Sequence, residues 1–215
     1  RNKYRVIITP PYTLLEYFAK QFKNKRITIG SQNCYQKDKF SSNTAAISPY
    51  MIRSVGAKYT LVGHSDNRAE GDTDLMLKNK VKFALANNLK VVFCIGENKK
   101  QKKNNQTFGV LKKQLVKVLE KKLNKNNIIV AYEPIWSIGT GKIPNQKDLL
   151  KTTIYIKKVL KNIFRKKSPP VLYGGSVDGD NIDMFRQIKE IDGFLIGGAS
   201  KSSKKFIDII KNYYR

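Results

Sequence analysis

The sequence predicts an α/β fold of repeated strand–helix units with parallel strands, of the kind that closes into a (β/α)8 barrel. Short apolar runs rich in β-branched residues alternate with longer segments of helical period throughout the 215 residues. Seven such units follow one another without a linker or a low-complexity tract. A complete barrel has eight units and about 250 residues. We therefore expect residues 1–215 to form a single, N-terminally incomplete barrel domain whose first βα unit is absent from this sequence.

Seven segments are predicted as strands, because most of them are apolar throughout, as strands buried on both faces are. They are residues 5–10, 27–32, 59–63, 90–96, 127–132, 170–174 and 193–197. An open doubly wound sheet often carries a G-x-G-x-x-G first turn, and the sequence has none. This absence favours the barrel over the open sheet.

Helix-start signals lie between the predicted strands. Thr13, with Glu16 three positions later, predicts a capping box, and Ser48 before Pro49 predicts an N-cap and a first helical residue. Asn145 is expected to open the longest helix, which ends near residue 164. The other predicted helices are 14–23, 49–55, 74–87, 107–123, 181–190 and 204–214.

The charge is strongly basic, with 42 Lys and Arg against 16 Asp and Glu and a net charge of +26. Such a charge suggests nucleic acid, because neutralising phosphates releases counterions. However, 34 of the basic residues are Lys and only 8 are Arg, the side chain that binds phosphate and guanine bidentately. The lysines are also dispersed through every helix. We expect weak attraction to polyanions but no specific nucleic-acid partner.

Hydropathy and cysteine usage favour the cytoplasm. No apolar run approaches the roughly 20 residues of a membrane span, so no membrane partner is expected. Cys34 and Cys94 are sixty positions apart without a CxxC spacing. This pattern predicts neither a disulfide framework nor a metal site, and it is typical of a reducing compartment.

Candidate site residues follow the strands, because barrel active sites lie at the carboxyl ends of the strands. His64, the one histidine of the chain, follows the third predicted strand, although a lone histidine there is more often structural. Glu133 follows the apolar run of the fifth, where desolvation suits a carboxylate to proton transfer. Glycine-rich turns follow the last two strands, where barrels commonly bind phosphate on backbone N–H groups.

Five segments together resemble the triosephosphate isomerase family. They are YTLVGHSD, VVFCIGE, AYEPIWSIGTGK, YGGSV and GFLIGGAS, in this order and spacing, and the likeness runs from Arg5 to the C-terminus. The resemblance implies a TIM barrel that interconverts glyceraldehyde 3-phosphate and dihydroxyacetone phosphate in glycolysis and gluconeogenesis. It also implies a homodimer that uses no cofactor and no metal.

The resemblance further implies a role for individual residues. Glu133 would be the base that moves a proton through an enediolate, and His64 the neutral group that polarises the carbonyl. Residues 134–142 would form the lid, with hinges at 134–136 and 142–144. Tyr173 would steady the closed lid. The phosphate-binding positions would be Gly139, Ser176, Gly197 and Gly198.

The sequence departs from the family pattern at several positions. The family's first strand ends in an Asn-x-Lys motif that has no counterpart here. Asp66 stands where the family usually has Glu, and Asn67 where it usually has Arg. In the loop expected to reach into a partner subunit, residues 41–46, only Thr44 keeps the family residue. The missing lysine leaves an alternative open, a non-catalytic barrel that binds phosphorylated ligands or polyanions, whereas the intact lid favours the isomerase.

Overall fold

The computed structural model describes residues 4–23, 26–38, 43–165 and 167–214. The chain divides into two compact units, and each has its own strands, helices and buried apolar side chains. The first unit contains Arg1–Phe93 and Asn126–Ile128, and the second contains Cys94–Lys125 and Ile129–Arg215. That residues 1–215 form one domain stays a prediction.

The first unit contains parallel strands in chain order. They are β1 (Val6–Ile8), β2 (Ile27–Ser31), β3 (Tyr59–Val62) and most of β4 (Lys90–Ile95). Val6 lies opposite Ile27, and Tyr59 lies opposite both Gly30 and Lys90. These strands occur where the alternating pattern predicts them, each ending one or two residues early. All four residues of β3 are buried, as the apolar run predicts.

The helices of the first unit are α1 (Tyr12–Gln21), α2 (Pro49–Ser54), α3 (Ser65–Ala69) and α4 (Asp74–Ala86). The start of α2 is confirmed, because the Ser48 hydroxyl accepts from the Met51 N–H at 3.2 Å. The predicted capping box at Thr13 is wrong. The helix begins two residues earlier, after Pro11, whose φ of −54° already suits helix entry, and no side chain caps it.

The second unit contains the strands β5 (Ile128–Tyr132), β6 (Val171–Tyr173) and β7 (Gly193–Phe194), which are parallel. Tyr132 lies opposite Tyr173, which in turn lies opposite Phe194. The last strand is only two residues long, against the five predicted, although the Leu195 N–H still donates to the Tyr173 carbonyl at 2.9 Å.

The helices of the second unit are α5 (Lys99–Lys103), α6 (Thr107–Val118), α7 (Gln146–Phe164) and α8 (Ser203–Tyr213). Asn145 caps the longest helix as predicted, accepting from the Asp148 N–H at 2.8 Å. The helix α5 was not expected, although Asn98 and Gln101 form its capping box. The helix α6 ends five residues early, since Leu119 adopts extended backbone and buries its side chain.

Two further structural results concern helices. The predicted helix 181–190 is a shorter 3-10 helix, Ile182–Gln187. Among the described residues, no helix combines the length and the apolar character that a membrane crossing requires.

Candidate active site

His64 stands at the junction between β3 and α3 in the first unit. Gly63 turns the chain with a φ of +79°, a conformation that favours glycine. His64 is the N-cap of α3, and its Nδ1 accepts from the Asp66 N–H at 3.3 Å. A ring nitrogen that accepts a hydrogen bond carries no proton, so a neutral ring has its proton on Nε2. The imidazole can therefore donate from Nε2.

Two charged residues, Arg68 and Asp66, lie close to the turn at His64. The Nε of Arg68 donates to the Gly63 carbonyl at 2.8 Å, and its guanidinium lies 5.7 Å above the ring of Phe93. The Asp66 carboxylate lies 3.4 Å from His64 Nδ1, but its side chain is 81% exposed, so water screens its charge. Asp66, the shorter residue at this position, thus acts on the imidazole mainly through its backbone N–H.

Glu133 lies directly after β5 in the second unit and is only 4% exposed. Its backbone N–H donates to the Ile95 carbonyl at 2.7 Å. Two glycines make room for it. A Cβ on Gly96 would lie 1.8 Å from the Glu133 carbonyl oxygen, and one on Gly174 would lie 2.6 Å from Glu133 Cγ. Neither glycine was predicted as a site residue, although each directly follows an apolar strand run.

Glu97 is a second buried carboxylate that the sequence analysis did not single out. It is fully buried and accepts from Trp136 Nε1 at 2.9 Å and from the Tyr132 hydroxyl at 3.2 Å. Burial, reinforced by the charge of Glu97, raises the pKa of Tyr132 well above its usual value. The signal was available, because Glu97 follows the apolar run of β4 much as Glu133 follows that of β5.

The predicted lid segment is tied to the turn after β6. The Gly141 N–H donates to the Ser176 hydroxyl at 3.1 Å, and that hydroxyl donates to the Ser137 carbonyl at 2.7 Å. Gly139 is exposed, with a φ of +65°. The structure thus brings Ser176 against the lid, with Gly139 between its two ends.

The remaining predicted phosphate positions lie after β7. Gly197 and Gly198 are exposed at the start of the 3-10 helix Gly198–Lys201, and the Gly197 carbonyl accepts from the N–H of Ser200 at 2.9 Å. Apart from the chain neighbours, no atom of the described residues lies within 4 Å of the position that a Cβ would take on either glycine, so another group could approach this backbone closely. His64 belongs to the first unit, and the other five predicted site residues belong to the second.

Metal chemistry has no candidate centre in the part of the chain that the structure describes, because no three His, Cys, Asp or Glu side chains there are grouped to hold an ion. The first unit supplies one imidazole, and the second unit supplies two buried carboxylates and glycine-rich turns. An imidazole and a buried carboxylate are groups that transfer protons and polarise carbonyls.

Comparisons with known proteins agree on one family. The family model described as triosephosphate isomerase matches residues 1–213. The chain is 38% identical to the triosephosphate isomerase of Saccharomyces cerevisiae over 211 residues, which cover 96% of this chain and 84% of that relative. It is 37% identical to the triosephosphate isomerase of Dehalococcoides mccartyi, over 95% of this chain and 81% of that relative.

A solved structure agrees with these relatives. The crystal structure of triosephosphate isomerase from Bartonella henselae matches with a TM-score of 0.92 and 29% identity, over 100% of this chain and 88% of that one. The TIM-barrel fold class predicted from the sequence is thereby confirmed. From the family model, the relatives and the structural neighbour, we conclude that this chain belongs to the triosephosphate isomerase family.

Proposed function

We propose that this chain interconverts D-glyceraldehyde 3-phosphate and dihydroxyacetone phosphate by proton transfer through an enediolate, a step of glycolysis and gluconeogenesis. The observation that carries the proposal is the placement of Glu133. This carboxylate is buried directly after a strand, within the family's AYEPIWSIGTGK segment, and two glycines make room for it. Nothing in the comparisons supports the alternative of a non-catalytic barrel.

In the proposed mechanism, Glu133 removes a proton from the carbon beside the carbonyl and returns it to the neighbouring carbon. His64 donates from Nε2 to the substrate oxygen on which negative charge develops, and its acceptor bond at Nδ1 favours this tautomer. Neither step needs a cofactor, because the electron pair stays within the substrate and the proton moves by way of the Glu133 carboxylate, where it can exchange with solvent.

The phosphate would be held by Gly139, Ser176, Gly197 and Gly198, mostly through backbone N–H groups. Exposed glycine backbone at three of these positions supports the assignment, because no side chain blocks an anion there. Closure of residues 134–142 would exclude water while the enediolate exists. A water-excluded site also strengthens the hydrogen bond from His64 to the developing charge.

We also propose a homodimer in the cytoplasm. The first unit exposes large apolar side chains, among them Tyr12, Tyr50 and Met51, as a surface that binds a second copy would. In the expected partner-contact loop, residues 41–42 lie outside the described residues, and residues 43–46 are described. Cys34 and Cys94 are buried and form no disulfide in the described residues, which is consistent with a reducing compartment.

The test compares the wild-type chain with Glu133→Gln, which keeps the shape of the side chain but cannot accept a proton. We expect turnover to fall by about 100- to 10,000-fold, the range for loss of a general base, while inorganic phosphate still binds. The matched control is Glu190→Gln, which neutralises a half-exposed carboxylate of the same unit that pairs with Lys157.

Two outcomes would contradict the proposal. Unchanged turnover in Glu133→Gln would remove Glu133 from the mechanism. Phosphate binding without turnover in the wild-type chain would instead support the non-catalytic barrel.

A further inference from the structure

Ser137 occupies an unusual position for a hydroxyl group in the second unit. It ends the 3-10 helix Ile135–Ser137, directly after the first hinge of the predicted lid segment, and is fully buried. Its hydroxyl donates to the carbonyl of Lys142 at 2.5 Å, and Lys142 begins the second hinge. One side-chain hydrogen bond therefore joins the two ends of the lid.

The same oxygen also contacts Tyr173, whose hydroxyl lies 3.1 Å away. A serine hydroxyl has a single proton, and Ser137 gives it to Lys142, so Tyr173 must be the donor in this second contact. Burial raises the pKa of Tyr173 to about 12. Tyr173 accordingly keeps its proton at neutral pH and can act as that donor.

The backbone of Ser137 also forms hydrogen bonds, through both its N–H and its carbonyl. Its N–H donates to the Pro134 carbonyl at 2.8 Å, and its carbonyl accepts from the Ser176 hydroxyl at 2.7 Å. The second hinge ends at Pro144, which has no backbone N–H to donate. The buried hydroxyl of Ser137 contacts this hinge by its hydrogen bond to the Lys142 carbonyl.

The surroundings leave no space for another group to take over this contact. A Cβ on Gly175 would lie 2.0 Å from the Tyr173 hydroxyl and 2.6 Å from Ser137 Oγ, so only glycine fits beside the pair. Because Ser137 and Tyr173 are both buried, removal of the Ser137 hydroxyl leaves the Tyr173 hydroxyl without this partner away from water, and it removes the link to the Lys142 carbonyl.

We propose that Ser137 is a positioning residue that joins the two hinges of the lid and links them to Tyr173, so that the lid closes as one piece. This inference rests on the proposed isomerase function. Ser137 touches no reacting atom in this account and acts by stabilising the closed lid. Its loss should lower kcat more than it changes KM, because closure follows binding.

The first experiment compares Ser137→Ala with the wild-type chain. We expect kcat to fall by about tenfold, which corresponds to about 1.4 kcal/mol. We also expect more inorganic phosphate to be released per turnover, since a loosely closed lid lets the enediolate expel its phosphate group. The control is Thr153→Val, which removes a buried hydroxyl that donates within α7 to Leu149.

Trp136 supplies an independent readout, because it is the one tryptophan of the chain and precedes Ser137 directly. Its emission should change when inorganic phosphate binds the wild-type protein, and the change should be smaller in Ser137→Ala. If the wild-type chain shows no isomerase activity, the proposed function fails, and the hinge contact is judged from this emission change alone.

A double-mutant cycle with Tyr173→Phe tests the hydroxyl pair itself. If the two hydroxyls act together, the double variant should lose clearly less kcat than the product of the two single losses. The proposal is overturned if Ser137→Ala matches Thr153→Val in kcat, phosphate release and Trp136 emission. Strictly multiplicative losses in the cycle would likewise remove Tyr173 from the contact.

Discussion

The replacement Gly174→Ala tests how closely the structure fixes the proposed base. The new Cβ would lie 2.6 Å from Glu133 Cγ and 3.2 Å from both Cδ and Oε1. Ordinary contacts between carbon atoms are about 3.5–4.0 Å, so the Glu133 side chain must withdraw by about 1 Å. A displacement of about 1 Å can cost about 100-fold in rate. We therefore expect kcat to fall by about two orders of magnitude.

The assay is steady-state isomerisation in both directions, with urea unfolding measured alongside. The control is Gly109→Ala in α6, where nothing lies within 4 Å of the new Cβ. That change should leave kcat unaltered and stabilise the protein by about 0.5–1 kcal/mol, because alanine favours helix. A Gly174→Ala protein that folds normally and keeps the wild-type kcat would refute the reasoning.

Three further predictions concern stability, and urea unfolding checks each of them. Glu97→Ala should cost about 2–5 kcal/mol, because the Trp136 N–H and a tyrosine hydroxyl lose their buried acceptor, and a cost below 1 kcal/mol would contradict this. Lys80→Met should lower the free energy of unfolding by about 3–5 kcal/mol, since Lys80 lies 2.7 Å from the carboxylate of Asp72 and both side chains are buried. A loss as small as that of an exposed ion pair would count against this prediction. Burial raises the pKa of Cys34 to about 12 from 9.0, so the unfolded chain loses this proton first, and the free energy of unfolding should fall as the pH rises from about 9 to 12. Cys34→Ala should flatten that slope, and an unchanged slope would contradict the assignment.

Much of the fold could be predicted from the sequence, because β3, β4 and β5 are mostly buried and carry long apolar runs. The seven strands of the described residues match the predicted segments, and Ser48 and Asn145 cap helices as expected. The errors lie where local signals compete. Pro11 sets the start of α1 before Thr13 can cap it. At Leu119, burial of the side chain ends α6 although the helical spacing of apolar residues continues.

The candidate site was less accessible to sequence reasoning. His64 and Glu133 could be proposed because one ionisable residue after a strand is a simple signal. The roles of Gly96 and Gly174 could not, since they depend on Glu133 approaching from another strand, with its backbone at Gly96 and its side chain at Gly174. Ser137 gave no signal, because its hydroxyl matters through a carbonyl five residues away and through a tyrosine hydroxyl on the strand β6.

The most direct test of the central claim is to follow the isomerisation in D2O by proton NMR. If Glu133 moves a proton between the two carbons, the wild-type chain should place solvent deuterium on the carbon beside the carbonyl, and Glu133→Gln should do so at least about 100-fold more slowly. Deuterium incorporation at the wild-type rate in Glu133→Gln, with the protein folded and able to bind inorganic phosphate, would contradict the account.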